Sequence, residues 1–211
     1  MMGKHLILIL GLVLVFGCHN SKNTIKRSFS SEEKALIMSA DSLKPMRVYK
    51  INNKTDSLLL RTKSSYIKPN PKNPILLNLV KRLYATVRDS MSMGVGIAAP
   101  QVGILKNIIV VQRFDKENYP FEVYLNPKII DYSNERQTVR EGCLSIPNRS
   151  DTLKIRSQTI KINYNTFEGS RKIETINGFT SVIFQHEIDH LNGILYLDHL
   201  EKDRSDFEQT N

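Results

Sequence analysis

Residues 185–193 read QHEIDHLNG. Four residues along an α-helix advance ~6 Å and turn ~400°, so His186 and His190 share one face and can reach one cation. Glu187 lies ~100° round the axis, beside such an ion, where a carboxylate can act as a general base. Two imidazoles are an incomplete site. The remaining candidate ligand is Cys143, in REGCLSIP, on a bend before Pro147. A metal would bind it as thiolate. The bland alternative is a buried apolar cysteine. With both histidines, Cys143 would make a three-ligand site that keeps one position for solvent, the pattern of catalytic rather than structural zinc-type centres. A third stretch, GVGIAAPQVG at 94–103, combines close-approach glycines, Gly94 and Gly96, with the amide of Gln101. Taken alone it reads equally well as a tight, glycine-rich strand entry.

Several elements must position these residues. Asn73 and Pro74 open a helix whose apolar face is Leu76, Leu79, Val80, Leu83, Tyr84, Val87 and Met91, with Gly94 as its stop. Short β-branched or aromatic runs follow at 107–112, 121–126, 128–132, 159–165 and 172–177. A second helix, Phe179 to Leu191, carries the histidines and ends at Asn192-Gly193. Residues 46–73 are loop-rich, with Pro69 and Pro71 as breaks. Helix, strands, helix gives an α+β domain.

The chain has 211 residues, enough for one substantial core, and its two cysteines exclude a disulfide framework. The net charge of +9 is uneven: residues 22–72 hold twelve basic against four acidic residues, residues 73–211 seventeen of each. No recognition motif accompanies the excess, so nucleic acid is not an expected partner. The segment reads as a solvated arm or as one lying on anionic lipid. Before it, Lys4 and His5 precede an apolar run, Leu6 to Phe16, then Gly17 and Cys18. The run is short for a membrane span and suits a secretory signal. It resembles a bacterial lipoprotein signal, which implies lipidation of Cys18; the alternative is an uncleaved anchor. The expected organisation is a signal peptide over 1–17, a basic polar tether over 18–45 with one short helix around 31–40, and a catalytic domain over 46–211. The expected location is the cell membrane, facing the periplasm or exterior, with a cytoplasmic enzyme as the alternative.

The three motifs, in this order and spacing, resemble those of peptide deformylases: Gly94-Val95-Gly96-Ile97-Ala98-Ala99-Pro100-Gln101, Glu141-Gly142-Cys143-Leu144-Ser145 and His186-Glu187-Ile188-Asp189-His190. The likeness covers roughly residues 46–200 and implies antiparallel or mixed β-sheets around a central metal-binding helix. The signal-like N-terminus and the short polar tail after His199 depart from it. The resemblance implies hydrolysis of the formyl group of N-formylmethionyl peptides with release of formate; a monomer is expected, though no residue pattern specifies it. It implies one divalent ion on Cys143, His186 and His190, iron(II) first, with zinc, nickel or cobalt able to replace it. Glu187 would be the base and then the acid, and Gln101 and the Leu144 N–H would steady the oxyanion. Substrate would lie along Gly94, Val95 and Gly96, and Val139, Val182 and Ile183 are candidates for the methionine slot or plain core. Glu141 and Asp189 would support the ligands. Two rival functions use the same residues: a membrane-anchored metalloprotease, and a lipoprotein that only binds peptides.

Overall fold

The computed structural model describes residues 28–89 and 93–201; residues 1–27, with Cys18 and the signal-like run, and Met91 lie outside them. Three helices precede the sheets: α1 Ser31–Ile37, α2 Lys54–Leu60 and α3 Pro74–Val87. A five-stranded antiparallel sheet, in the order β1-β2-β3-β6-β7, comprises β1 Gly96–Ala98, β2 Ile108–Gln112, β3 Phe121–Tyr132, β6 Thr159–Asn165 and β7 Arg171–Asn177. The hairpin β4 Arg136–Cys143 with β5 Ile146–Ser157 forms a separate two-stranded sheet, and α4 Gly178–Leu191 closes the order.

The large sheet is covered on both faces. Strand residues alternate in direction, so Ile108 and Val110 join the cluster of α3, while Ile109 and Val111 join that of α4. This is why β2 is an unbroken apolar run rather than an alternating one. On α3, Leu76, Leu79, Leu83 and Val87 are fully buried, each contributing about 1.5–3 kcal/mol. The Asn73 side chain accepts from the N–H groups of Ile75 and Leu76, as a cap should. The helix stops at Val87, short of Gly94, whose N–H donates to the Val87 carbonyl at 2.9 Å. Tyr84 is left 39% exposed, its ring edge-on to Phe121.

Four elements differ from the sequence expectation. The runs 121–126 and 128–132 are one strand, β3, with a register shift between Leu125 and Lys128. Asn126 takes φ 51° there and its amide bonds both the N–H and the carbonyl of Ile67, so Pro127 sits at a bulge instead of a break. The β4–β5 hairpin has no expected counterpart, because most of its residues are polar and two of its inward positions are the charges Glu141 and Arg156, which leaves little apolar alternation. Helix α2 lies in the segment read as loop; the Asn53 side chain caps it, and Arg47 grips Asp56 through two bonds of 2.7 and 2.9 Å.

The fourth difference is the expected tether. From residue 28 onward it is part of the packed body. Ser30 and Glu33 form a reciprocal capping box that starts α1. Phe29, Ile37 and Met46 are buried in the α3 cluster. Arg82, 4% exposed, reaches out of α3 and donates to the carbonyls of Lys44 (3.0 Å), Leu36 (3.0 Å) and Ile37 (2.9 Å). Leu36 and Ile37 close α1, where the last carbonyls lack intrahelical donors. We expect Arg82→Ala to destabilise the fold by about 2–3 kcal/mol, because it removes three bonds made by a buried charged donor, although Ser39 and Asn78 still bond the carbonyls of Leu36 and Ile37. Urea titration would measure it, and a loss under ~0.5 kcal/mol would deny the arm this attachment.

Candidate metal centre

Helix α4 sets the site. Ile183, Phe184, Ile188 and Leu191 pin it to the sheet, so its rotation about its own axis is fixed and His186 and His190 look away from that core. Their ring centroids are 5.1 Å apart. Cys143 ends β4 where the hairpin turns, and its Sγ lies 3.2 Å from His190 Nε2. Ligand atoms of Cys143, His186 and His190 all fall within 4.8 Å of one another. A tetrahedral cation with bonds of ~2.0–2.3 Å holds its donors ~3.3–3.8 Å apart, inside that limit, so small side-chain adjustments let the three residues take a divalent ion.

The ligands are held by a chain of charges. His186 Nδ1 meets Glu141 Oε2 at 2.8 Å, which leaves Nε2 for a metal. Arg156 holds both Glu141 oxygens, at 2.7 and 2.9 Å, and extends a third bond of 2.7 Å to Asp189. Burial would raise the Glu141 carboxyl, but the His186 ring and the Arg156 guanidinium hold it down at about 2. It therefore stays an acceptor that fixes the ring. Asp189 also meets His199 Nε2 at 2.8 Å. The supporting roles expected of Glu141 and Asp189 thus correspond to observed contacts. Arg156, which joins them, carried no sequence signal: it is one of several charges in an irregular strand, and only the hairpin's pairing brings it to α4.

Glu187 is 4% exposed, and burial pushes its carboxyl up to about 7. Its Oε2 has no hydrogen-bond partner among the described residues. A β-carbon built on Gly96 would lie 2.5 Å from Glu187 Oε1, so the carboxylate and the backbone of β1 are in intimate contact. Gln101 sits in a 3₁₀ turn, Ala99–Val102. Its Oε1 accepts from the Ala98 N–H at 2.8 Å, which turns the NH₂ toward Ser145 Oγ (3.3 Å) and Cys143 Sγ (3.6 Å). An amide donor therefore points at the ligand cluster.

A cavity of ≈ 860 Å³ opens over these groups. Gly94, Val95, Gly96, Leu144, Val182 and Ile183 line it, with Gln101, Cys143, His186 and Glu187. Val139 does not. It pairs with Leu153, four residues up β4 from Cys143, roughly 13 Å away along an extended strand. Ile146 and Phe179 line the wall instead, and neither stood out in sequence because single apolar residues in a turn or at a helix start have no period. Strand β1 is the edge of its sheet, with its inner side paired to β2. Its outer edge is where an extended peptide can add.

Three protein ligands with a buried carboxylate at hand is the working arrangement of metal-dependent hydrolases, and the chain falls in that class. A sequence model of polypeptide deformylase matches residues 46–206. The peptide deformylase of Prochlorococcus marinus (strain NATL2A) is 34% identical over 168 residues, 79% of this chain and 79% of that protein. That of Desulforudis audaxviator (strain MP104C) is 42% identical over 121 residues, 56% of this chain and 76% of its own. Among solved structures, the class I type b peptide deformylase from Acinetobacter baumannii, bound to Met-Ala-Ser, superposes with a TM-score of 0.62 at 33% identity, covering 74% of this chain and 98% of that one. The Thermotoga maritima enzyme gives 0.62 at 31%, covering 74% and 97%. The chain belongs to the polypeptide deformylase family, metalloenzymes that remove the N-formyl group from nascent peptides. The protease and binding-only readings find no support in these likenesses.

Proposed function

We propose that this chain deformylates N-formylmethionyl peptides with Glu187 as proton carrier and with Gln101 and the Leu144 N–H as oxyanion donors. The observation that carries it is the convergence of Cys143, His186 and His190 beside buried Glu187. When bound, a divalent cation on those three residues supplies Lewis acidity to water and to the formyl oxygen. Glu187 takes the proton from the attacking water. Charge then develops on the formyl oxygen, toward which the pinned Gln101 amide and the Leu144 N–H donate. Glu187 passes its proton to the departing amine as the C–N bond breaks, giving formate and a free N-terminus. The substrate backbone extends β1 along Val95 and Gly96, with the methionine side chain toward Val182 and Ile183. The crowding at Gly96, where not even one added carbon fits, disfavours an acetyl methyl in the same place. Iron(II) is our first choice of ion; the thiolate and imidazole donors also take zinc, nickel or cobalt.

The test is formate release from formyl-Met-Ala by metal-loaded protein, with acetyl-Met-Ala and an internal-bond peptide as controls and a chelated sample as blank. Cleavage of the internal bond, or no formate with full metal content, would overturn the assignment.

We also propose that the enzyme acts as a monomer at the cell membrane, facing the periplasm or exterior, held through lipidated Cys18 and the basic segment after it. The support is the sequence of residues 4–18 and the excess of positive charge over 22–72; lipid chains with a basic patch supply the two signals stable anchoring needs. Labelled fatty acid should enter wild type and not Cys18→Ala. Full-length unlipidated enzyme in the cytosol would reject this location.

A further inference from the structure

The cavity mouth carries positive charge that the chemistry above does not use. Lys50, Arg140 and Arg149 all line the cavity. The two carboxylates that also line it are deep: Glu141 and Glu187 are 5% and 4% exposed, and Glu141 is already matched by Arg156 and His186. Arg140 is exposed and directs Nε to Ser150 Oγ at 2.8 Å; among the described residues it has no carboxylate partner. Arg149 meets Asp151 at 2.7 Å, an oxygen that also accepts from the Tyr196 hydroxyl at 3.1 Å. Its guanidinium is thus oriented, while its side chain remains 47% exposed. Lys50 is held beside the hairpin tip, because its neighbours Tyr49 and Ile51 donate their N–H groups to the carbonyls of Gln101 (2.7 Å) and Ser145 (3.0 Å). The wall formed by α4 and the entry to β1 is apolar by contrast, with Met93 and Phe179 exposed at 82% and 46%.

Resting on the deformylase reading above, we infer that Arg140 and Arg149, with Lys50 at the same mouth, form a carboxylate-recognising subsite that favours formyl peptides bearing Asp or Glu two to three residues after methionine. The spacing follows from strand geometry. Arg140 precedes Cys143 by three residues in extended β4, ~10 Å along the strand, and an extended peptide starting at the metal ligands covers that distance in about three residues. The cations lie beyond the reacting atoms, so they act on binding more than on the chemical step. A terminal carboxylate reaches this spacing only in a tri- or tetrapeptide, whereas an acidic side chain can stand there in a peptide of any length, so the group read is a side chain.

The experiment compares formyl-Met-Ala-Xaa-amide and formyl-Met-Ala-Ala-Xaa-amide, with Xaa as Glu, Gln or Lys, on the metal-loaded full chain. Amidation removes the terminal charge; formyl-Met-Ala-Ala with a free end supplies it alone. We expect kcat/KM for Glu over Lys of about tenfold at low salt, carried by KM and shrinking to about twofold when surface charges are screened at ~0.5 M salt. In Arg140→Gln/Arg149→Gln that ratio should approach one. A wild-type ratio within twofold at low salt, with formyl-Met-Ala-amide still deformylated, would overturn the subsite alone. So would an undiminished preference in the double variant. A gain from the free terminal carboxylate without one from Glu would overturn the side-chain assignment. No formate from any peptide would remove the deformylase reading, and this one with it.

Discussion

Glu187→Gln should lower kcat/KM for formyl-Met-Ala by ~10²–10⁴, the usual worth of a positioned acid–base group. The substitution keeps the side chain's volume, so the packing against Gly96 and Ile183 survives. It removes the one oxygen base at the cluster that is buried and without a hydrogen-bond partner among the described residues. Glu141 cannot take over, since Arg156 and His186 occupy its oxygens. The loss should fall on kcat, with metal content equal to wild type by elemental analysis. Turnover within threefold of wild type, metal retained, would show that the proton travels by another route. A variant that loses its metal would be uninformative by itself, and Glu187→Asp then serves as the second probe: the same chemistry on a shorter arm, with turnover between that of wild type and the amide.

The second large effect is expected at Gly96→Ala. The added carbon would stand 2.5 Å from Glu187 Oε1 and 2.8 Å from Ile183 Cγ2. Neither neighbour can yield without cost, since Ile183 is part of the α4 core and Glu187 is enclosed. Forcing a methyl into such a place costs about 1–3 kcal/mol of stability. The functional loss should be larger. The carboxylate is the flexible partner and moves first, and misplacing a catalytic group by ~1 Å can cost ~10²-fold. The same methyl would crowd the edge along which substrate adds. Gly94→Ala is the comparison: its new carbon would meet Val87 Cγ2 at 3.1 Å and Leu144 Cδ1 at 3.2 Å, contacts that side-chain adjustment can relieve. Thermal unfolding and kcat/KM on both variants should rank Gly96→Ala well below Gly94→Ala in activity. Equal activities would mean that the approach of β1 to Glu187 is not what the glycine protects.

What could be read along the chain was whatever depends on local spacing. Helical periodicity places His186 and His190 on one face irrespective of the rest of the fold, and the cap of Asn73 with Pro74 marks the start of α3 correctly. The β2 and β6 runs declare themselves because burial enforces β-branched residues; β7 shows the same residue types although only Ile176 in it is buried. Cys143 could be raised as a candidate third ligand beside the two histidines, with a buried apolar cysteine as the alternative, and the resemblance of residues 141–145 to the deformylase turn decided between them.

Tertiary structure decided everything that depends on long-range pairing. The meeting of Cys143 with α4 spans 47 residues and follows from how the β4–β5 hairpin lies against that helix. The hairpin mixes outward charges, Arg140 and Arg149, with an inward one, Arg156, and gave no periodic signal, so none of the three could be assigned a place. Val139 could not be separated from Val182 by residue type, since both are β-branched and apolar; only distance along β4 keeps it out of the cavity. The arm from residue 28 to 45 is polar by composition yet ordered by Arg82, whose guanidinium satisfies backbone carbonyls some forty residues earlier in the chain. A hydrogen bond between distant segments leaves no trace in local hydropathy, because its strength comes from the burial that the finished fold creates.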